Sequence, residues 1–268
     1  MSIAPTALID PQARLHSSVT IGPFCVIGPD VILEEGVTLY NNVTLLGRTT
    51  IKAHTTIFPY ATLGTIPQDL KYDGEPSTLI IGEHNLIREY CMINTGTKGG
   101  GNETLIGNHN LLMAYVHVAH DCKIGNHCIL ANGVTLAGHI EIGDHVNIGG
   151  LTAIHQFTRL AKGCMVAGAS ALGRDVPPFC IAEGNRAFIR GLNRHRMRKL
   201  LERKEIDFIS VLYKQLFDIN GTSVRDNASK ILEEYPQNAH AQEICQFVLE
   251  SNRGIAIKAG YFNDQEDT

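Results

Sequence analysis

An aliphatic residue returns at every sixth position along most of the chain. From 106 to 177, twelve consecutive six-residue units open on such a residue, and a small residue usually fills the fifth place. No helix has this period, which fits a short strand and a turn with two inward positions. Three units close a triangular coil, so twelve units predict four coils of a parallel β-helix. The opening residues are Ile106, Leu112, Val118, Ile124, Leu130, Leu136, Ile142, Ile148, Ile154, Leu160, Val166 and Leu172.

The same register begins close to the N-terminus and is interrupted once before residue 81. It runs in steps of six from Ile3 to Leu63. Residues 64–80 then break the pattern with two prolines, two glycines and charges of both signs. Such a composition predicts a loop that leaves one of the coils.

A second interruption occupies residues 96–105 and contains Gly99-Gly100-Gly101. The spacing from Ile93 to Ile106 is thirteen rather than twelve, which indicates an insertion. Three glycines could cradle a phosphate, but no helix start or GK[ST] follows them. We therefore interpret this stretch as a flexible excursion.

Paired prolines at 177–178 predict the end of the β-helix, because proline cannot donate the next ladder hydrogen bond. We predict a β-helical domain over 1–178, a connector over 179–190 and a helical domain over 191–268. In the last part apolar residues recur at three and four positions, and Ser223 is a plausible N-cap. The flat flanks of a three-sided prism favour a closed trimer with the helices at one end.

Composition narrows the class of protein without identifying its ligand. The 268 residues are 44% hydrophobic with a net charge of −4, which favours neither nucleic acid nor an anionic membrane. The first residues lack a signal-peptide pattern and no apolar run reaches membrane-spanning length, so we expect a soluble cytoplasmic protein. Seven cysteines without a CxxC pair argue against disulfides or structural zinc. Five occupy the inward fifth place and are predicted core residues: Cys25, Cys91, Cys122, Cys128 and Cys164.

Three of the twelve histidines are predicted to stack on one wall. His120, His139 and His155 lie in units that start eighteen residues apart, so they belong to successive coils about 4.8 Å apart. His117 lies at the preceding corner. We interpret this group as a site and six other histidines as turn residues that face water: His16, His54, His84, His109, His127 and His145.

Two chemistries fit such a group of imidazoles. Three of them can hold zinc with an open position for water, as in a β-helical carbonic anhydrase. Alternatively, one is a general base while the others bind substrate. Gly138, beside His139, could offer its N–H to an oxyanion, as acyl transfer requires. Because no cysteine or serine stands out as a nucleophile, direct attack of an acceptor on a thioester is the simpler mechanism.

A basic cluster follows the β-helix. Residues 186–204 contain six arginines and two lysines against Glu202 alone, a local charge of +7. The cluster suggests an anionic ligand or partner: a pyrophosphate, a phosphopantetheine or an acidic carrier protein. Few aromatic residues are interleaved, which disfavours nucleic acid.

Several motifs together resemble the UDP-N-acetylglucosamine acyltransferase family, whose enzymes carry out the first step of lipid A synthesis. They are QDLKY at 68–72, HVAHDC at 117–122, LAGH at 136–139, IHQF at 154–157 and DVPP at 175–178. The resemblance implies a left-handed parallel β-helix of hexapeptide repeats with a C-terminal α-helical domain. It also implies a homotrimer with active sites between subunits, which moves a 3-hydroxyacyl group from acyl carrier protein to UDP-N-acetylglucosamine. No cofactor or metal is implied, since phosphopantetheine arrives on the carrier.

The resemblance also implies roles for individual residues. His120 would be the general base with Asp121 beside it, and the Gly138 N–H would be the oxyanion donor. Gly168 matches the position that limits acyl length in the family, and a glycine there predicts a long chain. The residues expected to contact the substrates are Asp69, Lys71, His117, His139, His155, Gln156, Asn193 and Lys199.

Three positions depart from the family pattern. Asn94 replaces a frequent histidine, His195 a usual glutamate, and Leu200 the second residue of a basic pair. They lie on the expected nucleotide side and near the donor groove. They leave open an acceptor with a 3-amine, which would give an amide rather than an ester.

Overall fold

The hexapeptide repeat forms a three-walled parallel β-helix. The computed structural model describes residues 2–219 and 221–258. Strands of one wall pair in parallel with strands one coil later, as in the pairing of Val118 with Leu136 and of Leu136 with Ile154. The wall order follows the chain, so each coil contributes one strand to every wall in turn.

The strands are short, usually of two residues. The first wall contains Ser2–Ile3, Thr20–Ile21, Thr38–Leu39, Thr56–Ile57, Leu86–Ile87, Leu111–Leu112, Ile129–Leu130, Asn147–Ile148, Met165–Val166, Cys180–Glu183 and Phe188–Leu192. The second contains Leu8–Ile9, Val26–Ile27, Thr44–Leu45, Thr62–Thr65, Met92–Asn94, His117–Val118, Thr135–Leu136, Ala153–Ile154 and Ala171–Leu172. The third contains Arg14–Leu15, Ile32–Leu33, Arg48–Ile51, Thr78–Ile81, Glu103–Ile106, Lys123–Ile124, Glu141–Ile142 and Arg159–Leu160.

The core lies inside the prism and consists of the residues that open the units and fill their fifth places. Ile106, Leu112 and Val118 are each 0% exposed. The five fifth-place cysteines are buried and unpaired, as predicted. Burial raises the pKa of Cys122 and Cys128 to about 12, which keeps these thiols protonated and inert.

Three edges separate the walls, and each has its own character. Both insertions leave the edge between the second and third walls, which we call the loop edge. The tyrosine edge, between the first and second walls, carries the stacked rings of Tyr60, Tyr90 and Tyr115. The histidine edge, between the third and first walls, carries a stack of five imidazoles that includes His109 and His127.

The two insertions are shorter than predicted, because their flanks extend the neighbouring strands. The first loop covers residues 66–77, between Thr65 and Thr78, and the second covers residues 95–102. The second includes a 3₁₀ turn, Lys98–Gly100. The tri-glycine is therefore not a free excursion, and its packing is described with the site below.

Two antiparallel strands occupy most of the predicted connector over 179–190, and the second runs on to Leu192, inside the segment predicted as helical. Cys180–Glu183 extends the first wall by pairing with Met165–Val166, and Phe188–Leu192 pairs with it in turn. Neither strand continues the hexapeptide pattern, so the repeat count could not find them. The β-structure thus reaches past the proline pair at 177–178.

Four helices follow: α1 (Arg194–Leu200), α2 (Arg203–Leu216), α3 (Val224–Glu234) and α4 (Ala239–Leu249). Ser223 caps α3 as predicted, its hydroxyl accepting a hydrogen bond of 3.1 Å from the Asp226 N–H. The buried Tyr213 of α2 donates a 2.7 Å hydrogen bond to the Pro178 carbonyl, which fixes the helices on the last coil. Across residues 2–219 and 221–258, none of the helices combines the length and the apolar character needed to span a bilayer.

Candidate active site

Of the predicted histidine group, His120, His139 and His155 lie on the loop edge, whereas His117 lies in a strand of the second wall and not at the preceding corner. His120 and Asp121 follow the strand His117–Val118, and His139 follows the strand one coil later. The His139 ring meets the His120 ring edge-on at 5.0 Å and stacks on Phe157 of the next coil at 4.4 Å. The hexapeptide register thus brings together side chains that are distant in sequence. Phe157 was not identified from the sequence, although its spacing of eighteen from His139 was available.

Asp121 holds one nitrogen of His120. The Nδ1 of His120 lies 2.7 Å from Oδ2 of Asp121, whose side chain is 0% exposed. A carboxylate accepts hydrogen bonds, so Nδ1 carries the proton and Nε2 has its lone pair free to accept one. Within the described residues Nε2 of His120 has no hydrogen-bond partner. The pair therefore presents a base at the surface of the edge.

The second loop fixes the Asp121 carboxylate. The Thr97 N–H donates to Oδ1 at 2.8 Å and the Thr97 hydroxyl to Oδ2 at 2.6 Å. The Asp121 N–H donates to the Thr104 hydroxyl at 2.9 Å. Gly100 lies against the carboxylate so closely that a Cβ would overlap it, which explains a glycine at this point. Thr97 was not predicted from the sequence, because it lies in an insertion to which the six-residue spacing does not apply.

Gly138 leaves room for His120. A Cβ at this position would lie 2.6 Å from Cε1 and 2.8 Å from Nε2 of the His120 ring. Among the described residues, the Gly138 N–H has no hydrogen-bond acceptor. An unpaired N–H beside a base is the arrangement that stabilises a tetrahedral oxyanion.

Two further histidines of the site are held neutral. Burial lowers the pKa of His139 below its ordinary value, against the opposing charge of Asp121. Burial likewise lowers the pKa of His117, and its buried Nδ1 has no hydrogen-bond partner within the part of the chain described. An unpaired buried nitrogen is uncommon in a folded protein, and this one is not accessible to a ligand in the single chain.

The first loop covers this edge. Asp69 accepts a 3.0 Å hydrogen bond from the Lys71 N–H, and the charges of both residues act on His139. Gln68 reaches the Met92 sulfur at 3.6 Å, which anchors the loop on the second wall. The loop therefore places one acidic and one basic side chain beside the histidines.

His155 and Gln156 lie one coil beyond His139, on the same edge, and both are exposed. His155 lines a mostly apolar groove of about 580 Å³ formed with Leu172 and Phe188. Arg174, Arg186 and Lys258 contribute positive charge to its walls. The groove suits a chain with an anionic end.

The other predicted substrate contacts lie elsewhere. Asn193 is buried, and its side chain caps α1 by accepting from the Arg196 N–H at 3.1 Å and donating to the Gly163 carbonyl at 3.0 Å. This leaves it no exposed group for a ligand. Lys199 is exposed on α1, and Gly168 is exposed on the tyrosine edge, away from His120.

The three departures have different surroundings. The Asn94 amide is buried and donates to Thr65 Oγ1 at 2.8 Å and to the Ile66 carbonyl at 3.0 Å, so it ties down the first loop. His195 is exposed on α1, whereas Leu200 packs partly buried against the core. None of the three residues is next to His120 or Asp121 in the sequence, and none forms a hydrogen bond with either of them.

The geometry bears on the zinc alternative. The group of potential ligands in the described chain is His120, Asp121 and His139, not the three histidines expected from the spacing. Oδ2 of Asp121 already accepts from Thr97 and from His120. A metal at this point would have to replace the hydrogen bond that orients His120, so the donor set fits a base better than a metal centre.

Known proteins are similar to this chain over most of its length. A family model described as Udp N-acetylglucosamine O-acyltransferase, domain 2, matches residues 175–256, and the bacterial transferase hexapeptide model matches 12–47 and 103–138. A curated acyl-[acyl-carrier-protein]–UDP-N-acetylglucosamine O-acyltransferase from Helicobacter pylori (strain HPAG1) is 68% identical, over 98% of this chain and 97% of its own. The corresponding protein of Aliarcobacter butzleri (strain RM4018) is 49% identical, over 95% and 97%.

Solved structures give the same result. A UDP-N-acetylglucosamine acyltransferase crystal structure matches with a TM-score of 0.95 and 68% identity, covering 97% of this chain and all 100% of the other. The enzyme from Campylobacter jejuni matches with a TM-score of 0.91 and 42% identity, over 96% and 100%. These matches confirm the predicted left-handed parallel β-helix with a C-terminal helical domain. The chain belongs to the UDP-N-acetylglucosamine O-acyltransferase family.

Proposed function

We propose that this protein transfers a 3-hydroxyacyl group from acyl carrier protein to the 3-hydroxyl of UDP-N-acetylglucosamine, the first step of lipid A biosynthesis. The observation that carries the mechanism is the 2.7 Å contact between His120 Nδ1 and the buried Asp121, which leaves Nε2 as a base. Family membership supports the substrates, since the curated relatives are named for both of them.

The first step is attack on the thioester. Nε2 of His120 takes the proton of the sugar 3-hydroxyl as its oxygen bonds to the carbonyl carbon. Asp121 stabilises the imidazolium that results. The carbonyl oxygen becomes an oxyanion, and the unpaired Gly138 N–H donates to it.

The second step is collapse of the tetrahedral intermediate. The carbon–sulfur bond breaks, and the pantetheine sulfur leaves with the bonding electron pair. His120 returns the proton from Nε2 to that sulfur, which gives the free thiol and restores the neutral base. The products are an acylated sugar ester and the free carrier protein, so no cofactor is consumed, and we expect none to be needed.

Neighbouring groups position the two substrates. His139, which burial keeps neutral and which stacks on Phe157, is suited to bind sugar hydroxyls. The family resemblance makes His117 a second expected contact with the sugar. Asp69 and Lys71 of the first loop close over the same edge. His155 and Gln156 lie one coil further on, where the apolar groove could receive the pantetheine arm.

A homotrimer completes the site in this proposal. Gly168 is expected to limit the acyl chain, yet it lies on the tyrosine edge while His120 lies on the loop edge. The two can meet only if the loop edge of one subunit faces the tyrosine edge of a neighbour. Since Gly168 carries no side chain, we expect room for a long acyl chain.

The acidic carrier protein is proposed to dock on α1. Arg198 and Lys199 are exposed on this helix and have no ion-pair partner among the described residues. Exposed cations of this kind steer a negatively charged partner without needing a tight fit. A carrier protein and a nucleotide sugar are cytoplasmic substrates, and we place the enzyme there.

The test is identification of the product. Purified protein is given UDP-N-acetylglucosamine or its 3-amino analogue, with a mixture of 3-hydroxyacyl carriers, and products are read by mass spectrometry. We expect an O-acylated UDP-N-acetylglucosamine that hydroxide hydrolyses, as an ester. Acylation of the 3-amino analogue alone would establish the amide-forming alternative, and no product with either acceptor would reject acyl transfer.

A further inference from the structure

The histidine edge carries a feature that acyl transfer does not use. His54, His84, His109, His127 and His145 form a continuous stack, with successive ring centroids 4.9–5.0 Å apart. The first four are exposed. In the described chain the ring nitrogens of all five lack hydrogen-bond partners, unlike those of His16, His120, His155 and His240.

The repeat explains how the stack arises. Each of the five residues occupies the same left-handed position of its corner, with φ between 55° and 61°. Successive corners lie one coil apart, so equal side chains must lie one above another. Gly36 below His54 and Gly163 above His145 end the stack without a side chain. From the sequence, these residues were predicted to be separate turn histidines that face water.

The proposed trimer decides what this edge faces. If the loop edge of one subunit meets the tyrosine edge of the next, the histidine edge is the third edge and points either toward the threefold axis or away from it. Pointing it away would turn the loop edge inward and close the site to a carrier protein. The histidine edge therefore lies at the axis, and this step rests on the function proposed above.

Apolar residues on both sides of the edge support the same orientation. On the third wall Ile80 pairs with Leu105, and both face outward. On the first wall Leu86 pairs with Leu111, which pairs with Ile129, and these also face outward. Leu86 is 43% exposed in the single chain. The two apolar patches lie at the same height along the prism. The first wall of one subunit can therefore pack against the third wall of the next with no shift along the axis, which closes a ring.

We propose that the histidine edges of three subunits form rings of three imidazoles about the axis, and that these rings bind a divalent transition-metal ion. Neutral imidazole nitrogens are preferred ligands of zinc and nickel. One chain alone cannot chelate the ion, because stacked parallel rings 4.9 Å apart exceed the span of two metal–nitrogen bonds of about 2.1 Å. Three symmetry-related rings at one level have no such limit.

The charges along the histidine edge indicate at which coil the metal ion binds. At the upper end, Arg196 and Lys162 act on His145 and oppose a bound cation, whereas Asp144 favours it. Around His109, the neighbouring Asn108 and Asn110 are uncharged. We therefore expect the ion in the middle of the stack, at His84, His109 and His127.

Metal content tests the site directly. The full-length protein is stripped with EDTA, dialysed against micromolar ZnCl₂ or NiCl₂, and analysed for metal per trimer. We expect about one ion or more per three chains, and at least tenfold weaker binding when His84, His109 and His127 are all changed to Asn. The control, His195→Asn on α1, should bind as the wild type does. Equal metal in the triple variant and the wild type would overturn the proposal.

Cross-linking tests the position of the edge. All seven natural cysteines are buried, so they contribute little background to the cross-linking of a new exposed cysteine. His109→Cys should be cross-linked between subunits by a short thiol-reactive bismaleimide, because its copies meet at the axis but at the separation of metal ligands, which is too wide for a disulfide. Tyr60→Cys, at the equivalent corner position of the tyrosine edge, should not. Failure of His109→Cys to cross-link would overturn the axial placement.

The acyltransferase assay separates this inference from the proposed function. The triple variant should keep its acyl-transfer rate within about twofold, since the stack is remote from His120. Metal binding by a wild type that makes no acyl product would reject the function and leave the metal site standing. Acyl transfer by a wild type that binds no metal would reject the metal site alone.

Discussion

Asp121 determines which nitrogen of His120 can act as a base. It accepts from Nδ1 at 2.7 Å while both of its own oxygens are held by Thr97. In Asp121→Asn the amide can donate to Nδ1, which favours the tautomer with the proton on Nε2. We expect kcat to fall by roughly 10²–10⁴-fold with little change in KM. Steady-state kinetics with acyl carrier protein measure this, and a kcat near that of the wild type would contradict the role of Asp121.

Gly138 must leave space for the His120 ring and also present its own backbone N–H to the oxyanion. An added Cβ would lie 2.6 Å from the His120 ring, so Gly138→Ala must displace the base or the backbone N–H beside it. We expect a loss of at least about 10²-fold in kcat. The control is Gly28→Ala on the same edge, where the nearest atoms would be 3.5 Å away. Equal activity of the two variants would show that contact with His120 does not matter.

Helix α1 is proposed to bind the carrier protein. In Arg198→Glu/Lys199→Glu, two exposed cations of this helix are reversed. We expect KM for acyl carrier protein to rise about tenfold or more and to depend less on salt, with KM for the UDP-sugar unchanged. Lys230→Glu on α3 changes an exposed charge elsewhere and serves as the control. An unchanged KM for the carrier would exclude docking on α1.

The elements differ in how far the sequence could predict them. Strands inside the repeat followed from the spacing of residues such as Val118 and Leu136, because each inward position is fixed by the one before. The strands over 180–192 were missed, since they leave the repeat and pair antiparallel. Thr97 was missed for a related reason: its loop has no periodicity, and only the folded chain shows that it holds Asp121.

Burial of histidines makes the stability of the whole molecule depend on pH. Burial lowers the folded-state pKa of His117 and His139 below the unfolded value of about 6.5. Below that pH the unfolded chain therefore binds more protons than the folded one, and stability falls as the pH drops toward the folded pKa. We expect a lower Tm at pH 5.5 than at pH 7.5, and a smaller drop in His117→Gln. A Tm that rises on acidification would contradict this account.

In the proposed trimer, Gly168 is expected to limit the length of the acyl chain. Gly168 is exposed on the tyrosine edge, and an added Cβ would lie 3.3 Å from the Gly150 carbonyl, so a larger residue can fit with a small adjustment. We expect Gly168→Met to shift the preference toward shorter acyl chains by filling the neighbour's chain pocket. Competition between acyl carriers of different length measures this. A variant that still prefers the longest donor would refute the assignment.

The sequence was sufficient to predict the histidines of the site, but not the second histidine stack or the contacts between subunits. Counting by six placed His120 and His139 on one edge, and the structure brings their rings to 5.0 Å. Five further histidines were predicted only as separate turn residues, and their stacking could not be recognised without the left-handed corner geometry. The proposed subunit contacts rest on outward residues such as Leu86 and Leu111, whose orientation only the folded chain reveals.

The most direct measurement is the turnover of His120→Ala, made beside the wild type at equal concentration of folded trimer. Removing the imidazole leaves Asp121, the loops and the groove in place but no base for the acceptor hydroxyl. We expect kcat to fall by at least about 10²-fold, with the trimer mass and Tm close to those of the wild type. Retention of most of the activity by a folded His120→Ala trimer would contradict the mechanism.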